Sequence, residues 1–243
     1  MLFEDYADIV RFAIDAICQS QKDKILTAAE IAAKTIEDDG LIYIFGCGHS
    51  GILSCEGFYR AGGLACAAPV FCEPLMLHES ASESSHLEKQ SGYAELLREK
   101  YRLEPRDMLI CSSTSDKNAV PVEYAAYAAS LGVPTVAICS SAYFTQEVHN
   151  ACCRHLHEVC TMYIDNMAPF GDACLQPEGF PNAMMPLSTI TGSYILNSIL
   201  GEAARIALEH GADVPVYRSG NIPGGAEANR ELIRRYSPRI PHL

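Results

Sequence analysis

Basic residues are scarce in this sequence. Its 243 residues include 18 Lys and Arg against 30 Asp and Glu, which gives a formal net charge of −12. Nucleic acids and anionic membrane surfaces bind proteins with an excess of basic residues. We therefore expect no nucleic-acid partner and no membrane partner, although local backbone dipoles could still hold a small anion.

Long apolar segments and targeting signals are also lacking. No apolar run approaches the roughly 18 residues that a membrane-spanning helix needs. The first residues include Glu4, Asp5 and Asp8 in place of the basic and apolar regions of a signal peptide. Eleven cysteines would suit a disulfide framework only in a small secreted domain, and many of these lie within apolar runs. We therefore expect a cytoplasmic protein whose reduced cysteines fill its core.

Internal repeats, low-complexity segments and linkers are absent as well, so a single domain accounts for residues 1–243. Apolar residues at helical spacing predict one or two N-terminal helices over 4–38. An α/β core is expected over about 40–210, and a loop-rich tail over 211–243.

Short apolar runs alternate with helical patterns through the core. The runs at 41–46, 65–71, 108–111, 134–139 and 159–165 predict five strands. Such alternation with short connections is typical of a parallel sheet that helices cover on both faces. We predict a three-layer αβα fold whose five-stranded parallel sheet has the flavodoxin-like order 2-1-3-4-5, with an added N-terminal helical segment. Helices are also expected near 50–61, 93–102, 188–209 and 226–235, and a loop over 167–187.

Two predicted strands lead into turns of small and polar residues. The first is followed by residues 46–51 (Gly-Cys-Gly-His-Ser-Gly) and the third by residues 112–118. The first turn matches neither nucleotide-binding glycine motif. In the order 2-1-3-4-5 both turns would face one crevice, where ligands bind in open parallel sheets. Hydroxyls and helix N-terminal amides suit a phosphate there, whereas the alternative is that the serines only cap a helix.

These turns resemble the SIS (sugar isomerase) domain, a phosphosugar-binding α/β fold. Its second loop typically reads Ser-x-Ser-Gly-x-Thr/Ser. Here both serines remain, while Asp116 replaces the glycine and Asn118 replaces the last hydroxyl residue. The first turn is similar to the Gly-x-Gly-Lys-Ser-Gly turn of the arabinose 5-phosphate isomerases, with a histidine in the Lys position. We expect ligand contacts from Gly48, His49, Ser50, Ser113, Thr114, Ser115 and Asn118.

The similarity to those isomerases extends further, with two departures. Residues 70–79 match a segment ending in a histidine that is a candidate for ring opening or proton transfer, here His78. Lys117 stands in place of an isomerase glutamate, and Ile222 in place of a C-terminal histidine. These departures count against the same reaction by the same residues. From about 35 to 230 the chain is also similar to an uncharacterised bacterial SIS family.

The resemblance implies a phosphorylated sugar as ligand, and we expect its isomerisation between aldose and ketose forms. Such a reaction needs a base near neutral pKa and an acid that opens the ring. His78 is the first candidate because histidine titrates in that range. Glu79 is a possible partner, and Glu56 and Glu202 are alternative bases.

Two other functions stay open: a non-catalytic phosphosugar-binding regulator that acts through protein contacts, and a phosphosugar lyase or etherase. Arg218 and Asn221 are also expected to contact the ligand, because they belong to a tail that could close over the crevice. The resemblance also implies a homodimer or higher homo-oligomer with sites near the interface.

A second polar cluster lies at residues 149–160. Its thiols and imidazoles suit zinc, but their spacing lacks the two separated pairs of a structural zinc site. On one helix, the cysteines and Leu156 would share a stripe that faces the core. We therefore expect no metal and no other cofactor, with a metal shared by His49, His78 and a carboxylate as an alternative. The cluster comprises His149, Cys152, Cys153, His155, His157 and Cys160.

Overall fold

Five parallel strands form the centre of the computed structural model, which describes residues 1–243. Their order is β2-β1-β3-β4-β5, which confirms the predicted topology. Every residue of β1, β3 and β4 is buried, as in sheets covered on both faces. The strands are β1 (Ile42–Gly46), β2 (Ala67–Pro69), β3 (Met108–Ser112), β4 (Thr135–Cys139) and β5 (Met162–Asp165).

Nine helices surround this sheet. They are α1 (Leu2–Ser20), α2 (Lys22–Glu37), α3 (Ile52–Gly57), α4 (Leu77–Leu87), α5 (Glu95–Lys100), α6 (Ala119–Ser130), α7 (Leu156–Val159), α8 (Ser188–Glu209) and α9 (Gly225–Tyr236). α2, α3 and α8 pack together on one face, and α5, α6 and α7 on the other. Because α3 leads from β1 to β2 and α6 leads from β3 to β4, the connections diverge between β1 and β3. None of these helices combines the length and the apolar character needed to span a membrane.

The N-terminal segment forms two helices, within the alternatives predicted. The break is at Gln21, whose side-chain oxygen accepts a hydrogen bond from the amide of Asp165 at 3.1 Å. The break therefore ties the N-terminal helices to the end of β5.

Several segments differ from the predicted secondary structure. The helix expected over 50–61 is a 3-10 turn at Gly48–Gly51 followed by the short α3. Residues 77–87, for which no helix was predicted, form α4. Only Ser84 is buried in this helix, and its hydroxyl donates to the carbonyl of Leu75 at 2.8 Å. The loop predicted over 167–187 contains an antiparallel pair, β6 (Ala173–Leu175) and β7 (Met184–Pro186).

Candidate functional site

A cavity of about 250 Å³ opens at the carboxyl edge of the sheet, beside the ends of β1 and β3. The turn after β1 and the loop after β3 both line it, as expected at the point where the connections diverge. The ligand-binding roles of its residues stay predictions. The predicted residues that line the cavity are Gly48, His49, Ser50, Ser113, Thr114, Ser115 and Asn118.

The turn after β1 depends on a very close backbone approach. A Cβ atom added to Gly46 would lie 2.5 Å from the carbonyl carbon and oxygen of Ser50. Gly48 has φ +56°, in the left-handed region that favours glycine. The chain can therefore reverse directly at the strand end, which brings His49 and Ser50 to the cavity.

The serine loop, which we define as residues 113–118, connects β3 to the N-terminus of α6. Its three hydroxyls belong to Ser113, Thr114 and Ser115, and only that of Thr114 has a protein partner, the side-chain amide of Asn166 at 3.3 Å. The first turn of α6 carries no acidic residue, so the partial positive charge of its N-terminus can attract an anion. Two free hydroxyls and a helix N-terminus together suit an anionic group.

Asp116 occupies the glycine position of the SIS motif in a left-handed backbone conformation. It has φ +62°, which aspartate adopts more readily than most residues. Asp116 is fully buried, and its carboxylate accepts a hydrogen bond from the amide of His157 at 2.9 Å. Its carbonyl accepts one from the amide of Leu156 at 2.7 Å. The replacement therefore ties the serine loop to α7.

Glu88 lines the cavity, although sequence analysis did not select it. Its carboxylate accepts a hydrogen bond from the side-chain amide of Asn118 at 2.9 Å. Burial raises the pKa of the Glu88 carboxyl above its ordinary value, with the neighbouring Lys89 acting in the opposite direction. A half-buried carboxyl with a raised pKa in a cavity is a candidate for proton transfer.

The remaining wall of the cavity includes Tyr143, Asp172 and Ser188. The carboxylate of Asp172 accepts hydrogen bonds from the amide and the hydroxyl of Ser188, both at 2.8 Å. It therefore caps the start of α8. The lining contains neither Lys nor Arg, so an anion would have to bind to loop amides, hydroxyls and His49.

The family model of the SIS domain matches residues 5–140, which is more than half of the chain. The chain belongs to the SIS-domain family. This SIS-domain protein is 39% identical over 243 residues to a UPF0309 protein of Geobacillus thermodenitrificans, covering 100% of this chain and 98% of that protein. It is 40% identical over 219 residues to a UPF0309 protein of Brucella anthropi, covering 89% of this chain and 88% of that protein. The predicted resemblance to the SIS family and to a bacterial family within it is confirmed.

A solved structure supports the fold of this SIS-domain protein. The sugar isomerase domain of an RpiR transcription factor from Sphaerobacter thermophilus matches it with a TM-score of 0.50. The match covers 96% of both chains at 17% sequence identity.

The predicted catalytic pair lies outside the cavity of the SIS-domain protein. His78 and Glu79 are at the start of α4, with side chains 67% and 56% exposed. The imidazole Nε2 is 3.7 Å from a carboxylate oxygen of Glu79. Their neighbour Leu77 lines the cavity but they do not, since α4 directs them to solvent. Their catalytic roles stay predictions.

Four further predicted residues also lie away from the cavity. Glu56 accepts a hydrogen bond from Asn197 at 2.9 Å and lines a separate groove beside α8. Glu202 pairs with a guanidinium one turn along α8. Arg218 and Asn221 are exposed on the tail, and Arg218 borders another cleft. The structure of one chain therefore does not bring these residues together with the serine loop.

The helical stripe predicted for the cysteines of 149–160 is wrong, because α7 contains only the four residues Leu156–Val159. Cys153 is exposed and precedes it, whereas Cys160 is partly buried against the core. His155 and His157 instead converge on Asp116, and the three could hold a metal ion. Because Asp116 and His157 are 41 residues apart in the sequence, no local motif indicates that they are neighbours.

Proposed function

We propose that this SIS-domain protein binds a phosphorylated sugar in the cavity beside β1 and β3, and isomerises it between aldose and ketose forms. One observation carries the proposal: the serine loop and the carboxyl of Glu88 line the same cavity. An anion-binding loop and a group able to exchange a proton are the two parts that this reaction requires.

The serine loop is the proposed phosphate site. The free hydroxyls of Ser113 and Ser115 and the amides before α6 supply donors without a basic side chain. The cavity volume of about 250 Å³ is close to the lower end of small-molecule sites, roughly 300 Å³. That size supports one sugar phosphate as the occupant.

Glu88 is the proposed proton-transfer group. The hydrogen bond from Asn118 engages its Oε1 atom, which orients the carboxyl and leaves Oε2 for the sugar. A base whose pKa is raised toward neutrality can remove a proton from one carbon of the aldose–ketose pair and return it to the other. We place His49, on the cavity wall, as the candidate acid for ring opening.

Thermal unfolding against a panel of sugar phosphates and their unphosphorylated parents tests binding. A ligand at one hundred times its Kd adds about 2.7 kcal/mol of stability, which corresponds to about 5–10 °C for a chain of this length. We expect the shift with a phosphosugar only, and its loss in the Ser113→Ala/Ser115→Ala variant. A panel in which no phosphosugar raises the midpoint would contradict the proposed site.

Turnover of the sugar identified in this way tests the chemistry. We expect Glu88→Gln to keep the thermal shift and to lose at least about 100-fold in rate, the lower end of acid–base contributions. His78→Ala is the matched comparison, because His78 is exposed outside the cavity. If His78→Ala loses turnover while Glu88→Gln keeps the wild-type rate, the proton-transfer group is His78 and not Glu88.

A binding-only regulator is the second candidate. It is favoured by Lys117 and Ile222, which stand where the isomerases carry a glutamate and a histidine. Binding without turnover of any phosphosugar would assign this role. A lyase or etherase would use the Glu88 carboxyl in the same way, and product analysis would distinguish it.

We also propose a cytoplasmic homo-oligomer. The eleven cysteines are free, which suits a reducing compartment. Helix α1 exposes Phe3 and Phe12, at 62% and 76%, and such exposed aromatic residues are enriched at protein interfaces. Light scattering after size-exclusion chromatography would measure the mass, and a monomer at all concentrations would contradict this assembly.

A further inference from the structure

Asp116, His155 and His157 form a buried cluster that is separate from the proposed sugar cavity. Asp116 is 0% exposed and His155 is 9% exposed. One potential ligand atom from each residue lies within 4.8 Å of the other two. None of the three lines the cavity.

Both imidazoles direct Nδ1 toward the same carboxylate oxygen. The Oδ2 atom of Asp116 is 2.5 Å from Nδ1 of His157 and 3.2 Å from Nδ1 of His155. The first contact is a hydrogen bond, whereas Nδ1 of His155 is buried and has no hydrogen-bond partner. Buried polar atoms are nearly always partnered, so this nitrogen is available to act as a metal ligand.

We propose that Asp116, His155 and His157 bind a divalent transition-metal ion, for which Zn²⁺ is the probe. Two imidazole nitrogens and one carboxylate oxygen are ligands that zinc accepts at about 2.0–2.2 Å. Tetrahedral angles at those lengths separate ligand atoms by about 3.3 Å. His155 Nδ1 and Asp116 Oδ2 already lie at 3.2 Å.

The contact with His157 has to change when the ion binds. Its Nδ1 must be the unprotonated ring nitrogen, which places the proton of a neutral imidazole on Nε2, and it must move about 0.8 Å from Oδ2 to reach the same separation. The side chain of His157 is 19% exposed, which leaves an approach for the ion and for a water molecule as a further ligand.

The ion would have a positional role in the SIS fold. Asp116 follows Ser115 directly in the serine loop, and His155 and His157 flank the start of α7. The ring of Phe144 stacks on His157 with centroids 3.7 Å apart, which supports that side of the site. A metal here would hold the serine loop against α7 without touching the sugar.

Metal binding can be measured without any sugar. Full-length protein freed of metal by a chelator is titrated with Zn²⁺ in a calorimeter, and with Co²⁺ in a spectrophotometer. We expect one ion per chain, with tetrahedral Co²⁺ absorption and no thiolate-to-cobalt band. His155→Gln and His157→Gln should each weaken Zn²⁺ binding by more than about 100-fold, since even residues that only hydrogen-bond a metal ligand contribute about 10–100-fold.

His149→Gln and Cys153→Ser are the matched controls, because both residues are exposed in the same segment and lie outside the cluster. They should bind Zn²⁺ as the wild type does. Absence of saturable binding in the wild-type protein would overturn the site, and this result requires no variant to fold. Equal binding by His155→Gln and wild type, or a thiolate-to-cobalt band, would also overturn it.

Discussion

Replacement of Gly46 by alanine tests the close packing of the turn after β1. The added Cβ would lie 2.5 Å from the carbonyl carbon and oxygen of Ser50, and 2.9 Å from the amide nitrogen of Gly51. Favourable contacts between heavy atoms are about 3.5–4.0 Å, so the turn must open by about 1 Å. Because the opposing atoms are backbone, no rotation of a side chain relieves the clash.

We expect Gly46→Ala to destabilise the fold by about 1–3 kcal/mol, the usual cost of overpacking. For a chain of this length the thermal midpoint falls by about 2–4 °C per kcal/mol. The opening also displaces His49 and Ser50 from the cavity, so the proposed phosphosugar shift should be lost. Circular dichroism melts with and without ligand measure both effects.

Gly201→Ala is the matched control for the same chemical change. Gly201 lies within α8, and an added Cβ would meet nothing within 4 Å. Alanine is favoured over glycine inside a helix by about 0.8–1 kcal/mol, so this variant should melt higher than wild type. A Gly46→Ala protein that melts with the wild type and still binds the ligand would refute the reasoning.

Three further predictions concern buried polar groups. The Glu88→Gln variant should have a higher thermal midpoint than the wild type at neutral pH, and this difference should disappear toward acid pH. Burial raises the pKa of Glu88 in the folded state. The contribution of this carboxyl to stability is therefore most favourable below its unfolded pKa and is lost as pH rises through its folded pKa. The exposed Glu83→Gln is the control, and a pH-independent difference in midpoint would contradict the prediction. The carboxylate of Asp107 accepts hydrogen bonds from the amides of Leu41 at 2.8 Å and Glu104 at 2.7 Å. Asp107→Ala should therefore lower the free energy of unfolding, measured in urea, by about 1–3 kcal/mol for each of the two amides left unpaired. A loss well below this range would show that water replaces the carboxylate. The amide of Phe71 donates a hydrogen bond to the Tyr101 hydroxyl at 2.7 Å. Tyr101→Phe should therefore lower the free energy of unfolding by about 1–3 kcal/mol and speed hydrogen exchange at the Phe71 amide. Unchanged exchange at Phe71 would argue against that bond.

Local chemistry explains what could be predicted from the sequence. The apolar runs of β1, β3 and β4 identify strands because burial on both faces demands apolar residues at every position. The turn at 46–51 could be located because only glycine permits the approach at Gly46. Family resemblance added the serine loop, although not the reason why Asp116 fits a glycine position.

Contacts between distant segments explain what could not be predicted. Glu88 meets Asn118 across 30 residues, and Asp116 meets His157 across 41 residues. Neither the hydrophobic periodicity of the sequence nor a local motif indicates these two contacts. The exposure of His78 likewise depends on how the start of α4 packs beside the cavity.

The sequence by itself determined the parallel α/β sheet and its two polar turns, because strand burial and turn chemistry depend on neighbouring residues. Only the tertiary structure decided which carboxyl lines the cavity and which histidines meet Asp116. Those placements depend on the packing of α4 and α7 against the serine loop, and packing brings together residues that the chain keeps far apart.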